Sequence, residues 1–177
     1  MFTGNTRSFP LAFLPGKPRD IIPIMAINET EKQSAIEILN RIMELELAGV
    51  VRYTHYSLMV FGYNRIPIVS WLKGNADESL LHAYKAGELV TLLGGHPSLK
   101  IGALLETHKH DIGDILRESL EQEQSTLEAY YDLLRLSVDK NVLLEEYARE
   151  MIALEEMHLD EVNKMLRKPG EIKPFEE

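Results

Sequence analysis

Four long segments of the chain repeat their apolar residues every three or four positions, which is the spacing of one face of an α-helix. Residues that cap or break helices separate these segments: Asn28 precedes the first, Gly94 and Gly95 follow the second, and Asp139 can cap the fourth. The pattern therefore predicts an all-α fold, a four-helix bundle. The predicted helices cover residues 29–61, 67–93, 108–137 and 141–167, and the sequence has no strand pattern of any length.

The connection between the second and third predicted helices, residues 95–107, contains glycine and proline and has no helical period. Connections in helical bundles usually have about 2 to 8 residues. A longer connection is needed where the chain crosses the length of the bundle, so we expect a crossover here. We expect an irregular N-terminal arm over residues 1–28, the bundle over residues 29–168, and a flexible, charged tail over residues 169–177.

The composition narrows the kinds of ligand that this bundle can bind. The 177 residues include no cysteine, so any metal must sit on oxygen and imidazole ligands. The net charge of −9 disfavours nucleic acid and attracts cations. No apolar run approaches the roughly 20 residues that span a bilayer, and prolines interrupt the apolar stretches before Met25, unlike in a signal peptide. We therefore expect a cytoplasmic protein with neither a nucleic acid nor a membrane as partner.

Acidic residues and histidines interrupt the apolar stripes of the predicted helices. Glu155 and His158 stand three residues apart on one face of the fourth helix, where Met151 and Val162 recur at core spacing. A buried carboxylate without a partner is costly, so it is expected to be neutralised or to bind a cation. These residues indicate a metal site in the core, with a hydrogen-bonded polar network of the same residues as the alternative. The stripes of the other helices contain Glu46, His82 and Glu123.

These positions resemble the motif of the bacterioferritins, within the ferritin-like superfamily. Members of that family carry a glutamate on the first helix with a tyrosine seven residues later, Glu-x-x-His-Ala on the second helix, a glutamate on the third and Glu-x-x-His on the fourth. The likeness covers roughly residues 31–167 and includes the long connection, so it implies a ferritin-like bundle. The matching positions here are Glu46 and Tyr53, His82 and Ala83, Glu123, and Glu155 with His158.

Two positions depart from the family motif. Ser79 stands where the second-helix glutamate that bridges two metal ions is expected, and the nearest acid is Glu78, four residues before His82. Residues at i and i+4 share a helix face, so Glu78 is a candidate replacement. The alternatives are that Glu78 is a solvated acid or that the site is weakened or holds a single metal ion. Leu80 stands where the family's haem-binding methionine is expected, so we expect no haem.

The resemblance implies a di-iron centre that oxidises Fe(II) with dioxygen, a ferroxidase, for iron storage or detoxification in a homo-oligomer that can form a hollow shell. Tyr53 or Tyr130 near the metal ions could hydrogen-bond a ligand carboxylate or donate an electron. Two other functions stay open: a di-metal oxidase or peroxidase of the rubrerythrin type without storage, and a helical interaction protein without metal. The implied metal ligands are Glu46, Glu78, His82, Glu123, Glu155 and His158.

Overall fold

The computed structural model describes residues 27–105 and 107–175, and four α-helices dominate this part of the chain. They are α1 (Glu29–Met59), α2 (Arg65–Leu92), α3 (Ile112–Ser137) and α4 (Val142–Leu166). No strand occurs among the described residues, so the predicted all-α bundle is confirmed. Among the same residues, no helix is long and apolar enough to cross a membrane. Most of the predicted N-terminal arm, residues 1–26, lies outside the described residues.

The first helix begins with a capping box, in which Asn28 is the predicted capping residue. Asn28 Oδ1 accepts a hydrogen bond from the Glu31 amide at 2.9 Å, and Glu31 Oε2 accepts one from the Asn28 amide at 3.0 Å. A side-chain cap of this kind stabilises a helix by about 1 kcal/mol. From this start the helical period buries one stripe of α1, including Ile36, Leu39 and Ile42.

The starts of α3 and α4 differ from the predicted ones. The third helix begins at Ile112 instead of residue 108, because Asp111 has an extended backbone and its side chain accepts a bond from an amide of the first turn. The prediction that Asp139 caps the fourth helix was wrong. Asp139 lies in the preceding turn with a φ of 60°, and Asn141 Oδ1 instead accepts a bond from the Leu144 amide at 3.1 Å.

The crossover between α2 and α3 runs over α1, which confirms the predicted long connection. The Asn40 side chain bonds the crossover at two points, donating to the His96 carbonyl oxygen at 3.2 Å and accepting from the Ser98 amide at 2.8 Å. Further along, the Gly102 amide donates to the Glu44 carbonyl oxygen at 2.7 Å. A Cβ at Gly102 would lie only 3.1 Å from that oxygen, so glycine permits the close approach.

Helix packing brings α1 against both α2 and α3, and α4 against α3. Gly49 of α1 and Ser79 of α2 form a close contact, because a Cβ at Gly49 would lie 2.8 Å from Ser79 Oγ. The Cα atoms of α2 and α4 stay more than 8 Å apart. Between these two helices lies a groove of about 730 Å³, whose lining includes Leu81, Leu143 and His82. The groove opens the interior of the bundle toward the surface.

The apolar core forms two clusters with polar residues between them. One cluster contains Leu39 of α1 and Leu133 of α3, and the other contains Tyr56 of α1 and Ile115 of α3. On each of these two helices the glutamate predicted as a ligand lies between the two clusters in the sequence. The fold thus surrounds a polar layer with apolar side chains on both sides.

The described part of the C-terminal tail turns back onto α4. Asn163 donates to the Phe175 carbonyl oxygen and accepts from the Phe175 amide, each at 3.2 Å. Arg167 donates to the Ile172 carbonyl oxygen at 2.8 Å. These bonds attach residues 171–175 to the end of the bundle.

Candidate metal centre

All four helices direct ligand-type side chains into the polar layer. α1 supplies Glu46, α2 supplies His82, α3 supplies Glu123, and α4 supplies Glu155 and His158. The first four are buried, and His158 is partly exposed. The structure therefore brings together the five residues that interrupt the predicted apolar stripes.

Glu155 is shared by two groups of possible ligand atoms. One group joins Glu155 to Glu46 and His82, the other joins it to Glu123 and His158, and the atoms of each group lie within 4.8 Å of one another. Glu155 Oε1 lies 3.3 Å from His82 Nδ1, whereas Glu155 Oε2 lies 3.7 Å from His158 Nδ1. Each oxygen of this carboxylate faces a different histidine, which is the arrangement of a carboxylate that bridges two cations.

The donor set fits a pair of divalent metal ions. Glu155 is only 1% exposed, and its Oε2 has no hydrogen-bond partner. A buried acceptor without a partner is destabilising, and a cation between Glu123, Glu155 and His158 would supply the missing partner. Carboxylate oxygens combined with imidazole nitrogens suit ions such as Fe(II), Mn(II) and Zn(II).

Two buried tyrosines hold the outer carboxylates of the site. Tyr130 donates to Glu46 Oε1 at 2.7 Å, and Tyr53 donates to Glu123 Oε1. The sequence predicts Tyr53 beside the site, and the structure places its hydroxyl on the ligand-type residue of α3. Because both phenols are buried, they orient the carboxylates without admitting water.

Burial and the neighbouring charges shift the pKa values of the three buried carboxyl groups in opposite directions. Burial raises the pKa of Glu46, and it raises the pKa of Glu123 well above its usual range; the charge of Glu155 adds to both effects. Burial also opposes the ionisation of Glu155, but close contacts with His158, His82 and Glu123 outweigh it and lower this pKa to about 2. Without metal, Glu155 is therefore the most acidic of the three.

The two histidines respond to the same carboxylates. Burial acts to lower the pKa of His82, but contacts with Glu155 and Glu46 outweigh it and raise this pKa to about 9. The nearby Glu155 carboxylate raises the pKa of His158. In the absence of metal, the central carboxylate therefore favours the protonated form of both rings, and the proton of a ring nitrogen must leave before that nitrogen can bind a cation.

Glu78, the sixth predicted ligand, lies on the outer side of the two histidines. Its carboxylate oxygens lie 3.3 Å from His158 Nε2 and 4.0 Å from His82 Nε2, and its side chain is 40% exposed. It belongs to neither group of ligand atoms, so its role as a metal ligand stays a prediction. Ser79 is buried against Gly49 and brings no carboxylate to the site.

Sequence reasoning missed a second buried polar cluster, between α1 and α3. Arg52 donates to Gln122 Oε1 and to the Glu118 carbonyl oxygen, each at 2.7 Å. The Glu118 carboxylate accepts bonds from Tyr56 and Thr107. The available signal was the four-residue spacing of Arg52 with Tyr56 and of Glu118 with Gln122, which puts each pair on one helix face. Protein donors already satisfy Glu118, so this cluster holds the two helices together without a cation.

The fold and the site define a class of protein: a four-helix bundle whose facing helices carry carboxylate and histidine side chains of ligand type around one shared glutamate. The chain belongs to the ferritin-like domain family, whose model matches residues 36–171. The predicted membership of the ferritin-like superfamily is therefore confirmed.

Solved structures with the same fold include three bacterial proteins. A ferritin-like, diiron-carboxylate protein from Bacillus anthracis str. Ames is 21% identical, with a TM-score of 0.73, over 80% of this chain and 100% of that chain. The bacterioferritin of Desulfovibrio desulfuricans is 25% identical, with a TM-score of 0.69, over 77% of this chain and 80% of that chain. The bacterioferritin-related protein of Bacteroides fragilis, a dodecameric thioferritin, is 21% identical, with a TM-score of 0.69, over 76% of this chain and 85% of that chain. No curated protein sequence matches this chain.

Proposed function

We propose that this protein is a ferroxidase that binds two Fe(II) ions as substrate and passes their electrons to dioxygen, for iron storage or detoxification. The observation that carries the proposal is the position of Glu155, whose two oxygens face the two histidines and whose Oε2 has no hydrogen-bond partner. The likeness to a bacterioferritin with a diiron site and to a diiron-carboxylate protein supports it.

The ligand set suits iron in both oxidation states. Glu46 and His82, with one oxygen of Glu155, would hold one ion, and Glu123 and His158, with the other oxygen, would hold the second. Carboxylates are hard donors that bind Fe(III) as well as Fe(II), so the ligands retain the ion after it has lost an electron. The role of the iron is to supply the electrons that reduce dioxygen.

Protons leave the site as metal enters it. Burial raises the pKa values of Glu46 and Glu123, so cations compete with protons for these two acids. Tyr130 and Tyr53 stay hydrogen-bonded to the two carboxylates and keep them pointed at the site.

The groove between α2 and α4 provides the route for Fe(II). It reaches His82, and its lining carries four glutamates and one lysine, so its potential attracts cations. The charged residues of this lining are Glu78, Glu88, Glu146, Glu150 and Lys85.

We also propose a homo-oligomer without haem. The related protein of Bacteroides fragilis is dodecameric, and exposed apolar residues on α1 and α2 offer surface for subunit contacts, among them Leu58 and Tyr84. Leu80 stands at the position of the haem-binding methionine, which removes the side chain that would hold haem iron.

Anaerobic titration with Fe(II), followed by measurement of dioxygen uptake, tests the proposed activity. The expected result is two ions bound per chain and oxidation on admission of dioxygen. Glu155→Gln should lose the binding of two ions and the oxidation by dioxygen, because it alters the residue that the two groups share. Glu128→Gln makes the same chemical change at an exposed position of α3, away from the groove, and serves as the matched control.

The alternative functions predict different results in the same experiment. A protein that binds no metal would be a helical interaction protein whose core acids form a polar network. A peroxidase of the rubrerythrin type would bind two iron ions but oxidise them faster with hydrogen peroxide than with dioxygen. Light scattering would then give a particle too small for a storage shell. Either result would contradict the proposal.

A further inference from the structure

The groove between α2 and α4 exposes apolar side chains beside acidic ones. Leu81 is 60% exposed and Leu143 is 44% exposed, and both line the groove together with Leu89 and Leu154. The charged residues of the lining are four glutamates and one lysine, a net charge of −3. An exposed apolar surface flanked by acidic residues suits an apolar segment that carries positive charge.

The N-terminal segment, residues 1–26, has the complementary composition. It carries a net charge of +2, in a chain whose net charge is −9. Residues 9–14 and 21–26 are apolar and contain one proline each. Proline is poorly tolerated inside a helix and the segment has four prolines, so its sequence favours an extended chain. The charged residues of the segment are Arg7, Lys17, Arg19 and Asp20.

The first helix begins at the end of the bundle where the groove starts. Glu31, near the start of α1, pairs with Lys140, just before α4, at 2.7 Å. Ile27 and the groove residue Leu89 pack against the same apolar cluster. The groove follows α2 from Leu89 back to Glu78, about 17 Å at 1.5 Å per residue. The segment, if extended, spans about 80 Å at 3.1 Å per residue, so it is long enough to cross the end of the bundle and follow the whole groove.

We propose that the N-terminal segment binds in the groove of its own chain, with apolar side chains over Leu81 and Leu143 and basic side chains beside the glutamates of the lining. Burial of apolar surface supplies the affinity, and the opposite charges orient the segment. Attachment at Ile27 gives the segment a high effective concentration at this groove, so weak contacts suffice. The bound segment lies over the side of the bundle on which the groove reaches His82.

This docking goes beyond the proposed oxidation of Fe(II) and stands without it, because neither the groove nor the segment requires a metal ion. Metal-free protein is therefore used to test it. A protein that binds no iron would contradict the proposed ferroxidase function, whereas the experiments on metal-free protein would still decide the docking.

The first test measures the reactivity of a single thiol in the groove. The sequence has no cysteine, so Leu143→Cys introduces the only thiol. Its rate of reaction with dithiobis(nitrobenzoate) is measured with the original segment and with a segment in which serine replaces Phe9, Leu11, Phe13 and Leu14. The reaction should be several-fold faster with the serine segment, because the groove is then uncovered. Equal rates would overturn the proposal.

Met157→Cys supplies the matched control for this test. Met157 is 69% exposed on α4 and lies outside the groove lining, so its thiol should react at the same rate with both segments. Circular dichroism of the four proteins should give the same helix content, which shows that the serine substitutions leave the bundle folded. An equal increase in rate at both positions would overturn the proposal, because it would show a general loosening of the bundle.

The second test leaves the segment unchanged and identifies what lies over the groove. A benzophenone maleimide attached to Leu81→Cys is irradiated, and mass spectrometry identifies the cross-linked peptides. The expected result is a cross-link to residues 1–26 within one chain, which is absent when the label is on Met157→Cys. Cross-links only between two chains would show that a neighbouring subunit occupies the groove, and cross-links only to the helices would show that the groove is open. Either result would overturn the proposal.

Discussion

Glu78 Oε2 lies 3.3 Å from Nε2 of His158, while the other ring nitrogen of His158 faces Glu155 at 3.7 Å. A carboxylate on the far nitrogen of a metal-binding histidine fixes the tautomer and the orientation of the ring and makes it a more basic ligand. Glu78 also lies 4.0 Å from Nε2 of His82. The geometry therefore favours a positioning role for Glu78, whereas Glu155 would be the carboxylate between the proposed metal ions.

Glu78→Gln separates the positioning role from that of a ligand. If Glu78 orients the histidines, the substitution should weaken metal binding by about 10- to 100-fold and leave the stoichiometry at two ions per chain. Calorimetric titration with Fe(II) under anaerobic conditions measures both quantities. Asp77→Asn, at the exposed neighbouring position, is the control and should bind normally. Loss of one ion per chain in Glu78→Gln would make Glu78 a ligand, as the sequence predicts.

Glu123→Gln should remove one of the two metal positions and leave the other. The amide oxygen of glutamine still accepts the Tyr53 hydrogen bond, so the packing of α3 is preserved. The unfolding midpoint of the metal-free variant should be equal to or higher than that of the original protein, because one buried acid beside Glu155 is gone. Metal stoichiometry and a thermal melt check the two outcomes. Two ions per chain in the variant would count against Glu123 as a ligand.

Ser79→Glu restores the carboxylate that the family motif places on the second helix. We expect tighter binding of the second ion and faster oxygen-dependent oxidation of Fe(II). The metal-free variant should lose about 1 to 3 kcal/mol of stability, because Ser79 is buried against Gly49 and the longer side chain crowds that contact. Initial oxidation rates and chemical denaturation provide the two measurements. A variant that oxidises Fe(II) more slowly than the original protein would show that the site has no room or need for this carboxylate.

The stability of the metal-free protein should fall as pH rises from 6.5 to about 9. His82 has an ordinary pKa of 6.5 in the unfolded chain and a pKa of about 9 in the folded one. The folded state binds the extra proton in this window, so the stabilisation is complete below pH 6.5 and is lost as pH rises through about 9. The raised pKa values of Glu46 and Glu123 also make stability fall as pH rises. The folded state keeps their protons at pH values above 4.5, where the unfolded chain has lost them.

Melting temperatures of the metal-free protein across this pH range measure the effect. His82→Gln should flatten the dependence, whereas His96→Gln, at an exposed position of the crossover, should leave it unchanged. Metal-loaded protein should show a smaller decline, because cations have replaced the protons. A melting temperature of the metal-free protein that rises between pH 6.5 and 9 would contradict the charge states assigned to His82.

The sequence determined the four helices, the long crossover and five of the residues that meet at the site. These features follow from local rules: the helical period assigns residues such as Glu46 and Glu155 to a buried face, and Asn28 with Glu31 forms a cap within one turn. The cap of α4 could not be chosen in this way, since Asp139 and Asn141 are both capping types. Backbone geometry decided between them, because only Asn141 has an extended conformation immediately before the helix.

Tertiary structure alone decided how the residues of the site are related. Consecutive residues of a helix are rotated by about 100° around its axis, so Glu78 and Ser79 point in different directions. The sequence could not tell whether Glu78 turns toward the metal positions or toward the outer nitrogens of the histidines. The close contact of Gly49 with Ser79 sets the relation of α1 to α2, and packing places Glu155 between His82 and His158. These relations depend on distances between helices that are far apart in the chain, and the periodicity of one helix carries no information about them.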